Sequence, residues 1–404
     1  MFRRLLSRRP ASRPVRHIKR KPAIETLEGR QLMSLGAEFL VSVPTPAAQV
    51  QSANASSTNG SSVVVWTDFS HGNAQISGQL FNSRGGKVGP VMDLASGAGL
   101  NEEQPSVAMD AHGDFVVSWT QFFPNGHSDV LAQKFNAAGA TVGGVVPVAV
   151  GTFAQTSSSV AMDAKGDFVV SYTRDTNNTN PNIFAKLYNT NDQLLNVVTV
   201  AGGPVDADGS SVAMTPDGRF DVAYQIDLSN TVVVVLASRY TASGGVLPGL
   251  FETSGGLNEL PKIAMDNQGN AVIAYQTWNG SNWDVAADRF SNTGVVGNEI
   301  NLGSTSTNEI SPSVALEGNA GAFVVAYDSG GGVKVSEVNS SNVVIDTFSA
   351  GQLRFAPAIS INAQNKFLVT YNGEAGKRLL TDLHQIITRL DVVFVWLGVA
   401  PCRV

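Results

Sequence analysis

Ser106-Val-Ala-Met-Asp-Ala-His-Gly-Asp-Phe-Val-Val-Ser-Trp119 returns almost unchanged as Ser159-Val-Ala-Met-Asp-Ala-Lys-Gly-Asp-Phe-Val-Val-Ser-Tyr172. The same frame reads Val212-Ala-Met-Thr-Pro-Asp-Gly-Arg-Phe-Asp-Val-Ala-Tyr224 and Ile263-Ala-Met-Asp-Asn-Gln-Gly-Asn-Ala-Val-Ile-Ala-Tyr275. A further copy, with one inserted residue, runs from Val314 to Tyr327, and degenerate copies end at Trp66 and Tyr371. The seven closing aromatics are spaced 53, 53, 52, 51, 52 and 44 residues apart. One unit of about fifty residues therefore occurs seven times, and a fixed period of that length marks a stacked repeat architecture.

Each unit reads as four short strands. The first is Val-Ala-Met. A tight turn of the form Asp-x-x-Gly follows, as at Asp110 to Gly113, where glycine supplies positive φ and aspartate accepts backbone N–H bonds. The second, Phe-Val-Val-Ser-Trp, is β-branched and aromatic with a nearly continuous apolar run, the pattern of a strand covered on both faces. The third ends in an aromatic and a polar turn, at Phe81-Asn82, Phe135-Asn136 and Tyr188-Asn189. The fourth carries Val-rich segments such as Val145 to Val150. Four strands at this period predict an all-β chain: a seven-bladed β-propeller of four-stranded antiparallel blades. Ala108, Ala161, Ala213, Ala264 and Ala315 hold one position of the innermost strand and are expected to be small because they crowd the central axis.

The ring must close to leave no open edge. Residues 36–45 look like a fourth strand without a blade before it, and the economical closure pairs them with the last blade. The alternative draws that strand from Asp391 to Leu397. The last repeat has an uncertain third strand at Arg378 to His384. The expected organisation is a basic, disordered leader over 1–35, the propeller over 36–386, and an apolar tail over 387–404. Leu390 to Ala400 is too short to span a bilayer as a helix.

Composition agrees with a turn-rich β protein: 43% of residues are hydrophobic, only 15% charged, and 40 are glycine. Residues 1–21 carry nine Lys or Arg and no acid. Set against −6 for the whole chain, this leaves the remainder at −15. An acidic body argues against nucleic acid as a partner, because a nucleic-acid surface needs clustered positive charge. The single cysteine, Cys402, allows no intrachain disulfide and no Cys-based metal site.

After the basic run comes Ile24-Glu-Thr-Leu-Glu-Gly-Arg-Gln-Leu-Met-Ser34. This resembles the LEPR-XLL-type motif near the start of large bacterial surface proteins, with Leu27, Glu28, Arg30, Leu32 and Ser34 matching and Met33 in place of the second Leu. The resemblance implies a secreted or cell-surface protein. The repeat also resembles the Gly-x-Phe-Val-Val-x-Trp … Ala-Gln-x-Phe-Asn-x-x-Gly repeats of very large bacterial surface proteins, best carried by Gly113 to Trp119 and Ala132 to Gly139.

In a propeller, the loops between second and third strands share one rim with the inter-blade loops. Here they carry Phe69, His71, Phe122, Phe123, His127, Asp175, Trp278, Trp283 and Asp284. Aromatic faces beside amides and carboxylates suit a glycan or protein partner. The bland alternative is that these aromatics pack beneath their loops. Repeated acids at Asn101-Glu102-Glu103, Asn258-Glu259 and Asn308-Glu309 raise Ca²⁺ as a cofactor, but no Asp-x-Asp-x-Asp-Gly loop occurs. No cofactor is expected, and the Asp-x-x-Gly turns read as structural. The five histidines, His17, His71, His112, His127 and His384, show no metal-ligand spacing, and there is no nucleophile elbow, P-loop or sialidase box. The expected function is a non-catalytic, monomeric surface propeller that binds glycan or protein, or serves as a scaffold. The alternative is a propeller-fold polysaccharide hydrolase using rim carboxylates.

Overall fold

In the computed structural model, the described residues are 39–42, 47–97, 99–175, 180–229, 231–253, 256–291, 294–317, 321–352, 354–363, 365–374 and 393–399. The basic leader, the LEPR-XLL-like motif and the uncertain strand Arg378 to His384 lie outside them. All regular structure among the described residues is β, and no helix among them is long and apolar enough to cross a membrane.

Seven inner strands open seven blades: Gln49–Ser56, Asn101–Met109, Ala154–Met162, Asp206–Met214, Asn258–Met265, Glu309–Leu316 and Arg354–Ile361. Each lies beside the inner strand of the next blade, and that of blade 7 lies beside that of blade 1, so the ring closes. Blade 2 shows the unit: Asn101–Met109, Phe115–Phe122, Ser128–Phe135 and Thr141–Ala149 pair antiparallel in sequence order. Blade 5 departs from it, with an outer strand broken into Gly294–Val295 and Ile300–Gly303.

The repeat motif is a packing code. Phe115 of the second strand pairs with Phe135 of the third, and the rings stack at 5.0 Å. Phe168 with Tyr188 and Phe220 with Tyr240 repeat this at 4.9 Å. In blade 5, Ala271 replaces the phenylalanine, and Phe290 meets Phe251 instead. All seven closing aromatics, from Trp66 to Tyr371, are buried. The second strand is buried on both faces, as at Phe115 to Thr120, because each sheet is sandwiched between two others.

The small alanines have a different role from the one expected. The channel is not lined by Ala108, Ala161, Ala213, Ala264 or Ala315. Ala108 packs with residues of blades 2 and 3, Ala161 with blades 3 and 4, and Ala213 with blades 4 and 5. The preceding residue faces the other way: Val107 joins the cluster of blades 1 and 2, and Val160 that of blades 2 and 3. Sheets converge toward the axis, so the gap between blades is narrowest at the inner strand. A valine from one blade fills that gap only if its counterpart is an alanine.

Six of the seven joints are apolar, but the seventh is polar at its inner strand. Where other blades have valine or isoleucine, blade 1 has Asn54, whose Nδ2 donates to Ala358 O and Thr370 Oγ1, both at 2.9 Å. Ser56 and Ser360 hydroxyls meet at 2.8 Å. Further out, Val41, Val64, Trp66, Phe81 and Leu368 form the apolar part of this joint, with Phe39 tilted against Phe81.

Blade 7 is completed from both ends of the chain. Val393–Val399, assigned to a tail beyond the propeller by the sequence, takes the third position parallel to Phe367–Glu374. Phe39–Leu40 takes the fourth, parallel to Val393–Val399. The two closures weighed as alternatives are thus both used, one strand outside the other.

Every inner strand also carries a bulge at one height, and the residue there is left-handed: Gln51, Gln104, Ser157, Gly209, Leu260, Ser311 and Ala356, with φ between 51° and 62°. In five blades the N–H of this residue is captured by a side chain of the preceding blade. Gln51 Oε1 accepts from Gln104 N at 3.0 Å, Gln225 Oε1 from Leu260 N at 3.0 Å, and Asp328 Oδ2 from Ala356 N at 3.1 Å. Proline follows at Pro105, Pro261, Pro312 and Pro357. A bulge tolerates proline because its extra residue leaves the ladder, where no N–H is needed.

Candidate functional site

The register fixes the two faces. Asn101 pairs with Phe122, and Met109 with Phe115, so the loops between second and third strands lie on the same face as the inter-blade connections. We call this the upper face. The lower face carries the Asp-x-x-Gly turns, and there the aspartates are fully engaged. Asp110 Oδ1 accepts from His112 N, Gly113 N and Asp114 N at 2.8, 2.9 and 3.0 Å, with Gly113 at φ 95°.

The nine expected rim residues fall into three groups on the upper face. In blade 1, Phe69 is half-buried and His71 exposed, its Nδ1 3.2 Å from Ser70 Oγ. In blades 2 and 3, Phe122 ends a strand, and Phe123 stacks on His127 at 4.2 Å. His127 and half-buried Asp175 line one cleft of about 250 Å³ with Asn125, Thr152 and Phe153. An adjoining hollow of about 370 Å³ contains Tyr172, Arg174 and Lys186. Arg174 lies over the Phe153 ring at 4.8 Å. Burial, and then Arg174, hold the Lys186 ammonium below its ordinary range.

In blade 5, Trp278 and Trp283 pair across the turn, rings edge-to-face at 5.5 Å. Trp278 is 39% exposed, while Trp283 is half-buried. Asp284 does not serve as a ligand-facing carboxylate: it is buried, and accepts from Asn279 Nδ2 at 3.0 Å and Asn282 Nδ2 at 3.2 Å. Asn282 Nδ2 also reaches Thr307 O at 2.8 Å, and Asn308 Oδ1 accepts from Trp283 N at 3.1 Å. These bonds, half-buried at Asp284 and exposed at Thr307 and Asn308, hold the turn in one conformation, and Trp278 rides on it.

The acids considered for calcium are divided. Glu102 is buried and accepts from Gln121 at 2.6 Å. Glu309 is fully buried and accepts from Thr305 and Ser329. Both cap inter-blade joints. Among the described residues, no group of three His, Cys, Asp or Glu is placed to hold a metal.

Sequence reading named Glu259 as an acid for calcium but did not single out two features. The first is a carboxylate cluster on blades 4 and 5. Asp206 pairs with Asp227 across the ladder, Asp208 with Gln225, and Glu259 with Gln276, all just above the bulge ring. Burial, followed by Asp227, Asp206 and Glu259, pushes the Asp208 carboxyl up to about 6. The second is the central channel, about 460 Å³, to which all seven inner strands contribute. The prolines after four of the seven bulges, at Pro105, Pro261, Pro312 and Pro357, were the available signal for it.

No family model matches the chain, and no curated protein matches it in sequence. Solved structures do match in fold. Penicillium chrysogenum alpha-L-arabinanase, complexed with arabinobiose, superposes with a TM-score of 0.51 at 13% identity, over 73% of this chain and 94% of that one. A polysaccharide lyase, an ulvan lyase bound to -[GlcA(1-4)Rha3S]-, gives 0.50 at 11% identity, over 80% and 87%. At these identities the likeness concerns the fold: the chain is a β-propeller.

Proposed function

We propose that the protein is a surface-displayed propeller that holds saccharide on its upper face. The Trp278 turn carries this reading. An exposed indole held edge-on by a second tryptophan, on a turn locked by Asn279, Asn282 and Asp284, is a preformed flat apolar platform. Such platforms accept the C–H face of a sugar ring at little ordering cost, and the surrounding amides suit its hydroxyls. The leader over 1–35 supports surface display, through its likeness to the LEPR-XLL motif.

Turnover of the saccharide is the second reading, favoured by Asp208. A carboxyl raised to about 6 beside carboxylates on the same face offers an acid and a base in one cluster. The arabinanase and the ulvan lyase lend this reading more support than the sequence did, which put binding without turnover first. A glycan array followed by a reducing-end assay on a polysaccharide panel separates the two. Turnover lost about 100-fold or more in Asp208→Asn favours the enzyme. Binding without turnover, lost in Trp278→Ala, favours the binding module. A blank array and no turnover would sink both.

A further inference from the structure

The position following the bulge is small in six blades: Ala53, Ser106, Ser159, Ser211, Ser313 and Ala358. In blade 5 it is Lys262, and its side chain lines the central channel. It is exposed, but only to the solvent of a lumen enclosed by seven inner strands. No Asp or Glu lines that lumen, and among the described residues no carboxylate lies within ion-pair distance of Lys262. The surrounding protein depresses the ammonium below the ordinary lysine range, with burial as the cause.

The hydroxyls beside it are biased toward donation. Ser211 Oγ accepts from Ile263 N at 3.3 Å, and Ser313 Oγ accepts from Ile359 N at 3.1 Å. Ser106 and Ser159 repeat the bond to Val160 and Val212. A hydroxyl whose lone pair is taken by a backbone N–H still has its proton to give. The lumen therefore presents one unpaired cation and a ring of O–H donors, with no negative charge to satisfy them.

We propose that the central channel is an oxyanion site, in which Lys262 and the hydroxyls of Ser211 and Ser313 hold a sulfate-like group, either free or carried on a saccharide. Charge-assisted bonds from an ammonium and hydroxyls are the strong ones for such a group. The inference rests on the channel alone and does not require the Trp278 reading.

The test is calorimetric titration of the full chain, in Tris buffer, with sodium sulfate, glucuronate, glucose 6-sulfate and glucose. One saturable site per chain is expected for at least one of the anions and none for glucose. Lys262→Ser, which installs the residue of four other blades, and Lys262→Met are expected to weaken binding about tenfold or more. Lys165→Ser, on an exposed lower turn, is expected to leave it unchanged. Tighter binding of glucose 6-sulfate or glucuronate than of sulfate assigns the site to a saccharide-borne group, and the reverse assigns it to a free anion. Unsaturable binding throughout, or equal affinity in both Lys262 variants, overturns the proposal. A selenate-soaked crystal of the unaltered protein gives an independent reading: an anomalous peak beside Lys262 Nζ is expected, and selenate elsewhere but not there refutes the site. Trp278→Ala is expected to keep sulfate affinity, so failure of the upper-face reading leaves this result distinct.

Discussion

Asp221 and Arg239 form a cross-strand pair in blade 4, both almost fully buried, with Nε 3.2 Å from Oδ1. Arg239 also donates to Gly269 O of blade 5 at 2.7 Å, so the pair staples two blades. Even beside this guanidinium, burial outweighs attraction, and the Asp221 carboxyl is pushed up from 3.8 to about 6. Its second oxygen has no hydrogen-bond partner. A raised acid pKa means that the folded state binds the proton more tightly than the unfolded chain. Stability then falls as pH rises from about 4 to about 6, and is level on either side of that window. A shift of that size corresponds to about 3 kcal/mol. Asp221→Asn keeps the acceptor for Arg239 Nε and removes the titration. The burial cost of the guanidinium beside a neutral partner is common to the variant and to the protonated wild type, so it cancels at pH 4. We expect the variant to gain about 2–3 kcal/mol relative to wild type between pH 4 and pH 7, read as urea midpoints at constant m. A wild-type-to-variant difference that is the same at every pH would refute the reasoning, because Asp221 would then titrate normally in the folded ring.

Three further outcomes follow from the geometry. Asp110→Ala removes the acceptor for three backbone N–H groups at the blade 2 turn and should cost about 2 kcal/mol, while Asp110→Asn should cost less than half of that, both by urea unfolding. Leu260 holds φ 53° at 44% exposure, so Leu260→Gly should relieve left-handed strain and raise stability by up to about 1 kcal/mol. Gly209→Ala, at φ 62°, should lower it by about the same amount, and the opposite sign for the pair would show that the bulge ring is unstrained. Arg239→Met leaves the buried Asp221 carboxyl without its cation and should cost about 3–5 kcal/mol at pH 7 and less at pH 4, by the same measurement.

The ring was legible because its code is local and periodic. Phe115, Phe168 and Phe220 recur with the aromatics they stack on, and the strands they define are long enough to read. The Val-Ala alternation was visible, but not its meaning: the alanines were expected to crowd the central axis, and they face the neighbouring blades instead, a choice that depends on how twisted sheets converge. Closure was half legible. A strand parallel to its neighbour, drawn from Val393–Val399 beyond the last clear repeat, breaks the antiparallel order that the other six blades teach. At the rim, residue type was a poor guide to availability. Asp284 and Glu309 read as ligand-facing acids, but Asn279, Asn282, Thr305 and Ser329 take up their oxygens. Lys262 was missed because the eye follows what repeats, and its significance is that it does not.

The closed ring underlies every site described above, and a disulfide across its last joint tests it most directly. Ser56 and Ser360 are 304 residues apart in sequence, with hydroxyls 2.8 Å apart. In a Cys402→Ser background, which removes the sole native cysteine, Ser56→Cys/Ser360→Cys should oxidise within a single folded chain and raise stability by up to about 5 kcal/mol, reversed by reductant. Thiols that stay free in the folded protein, or that link only between chains, would mean that blades 1 and 7 do not meet.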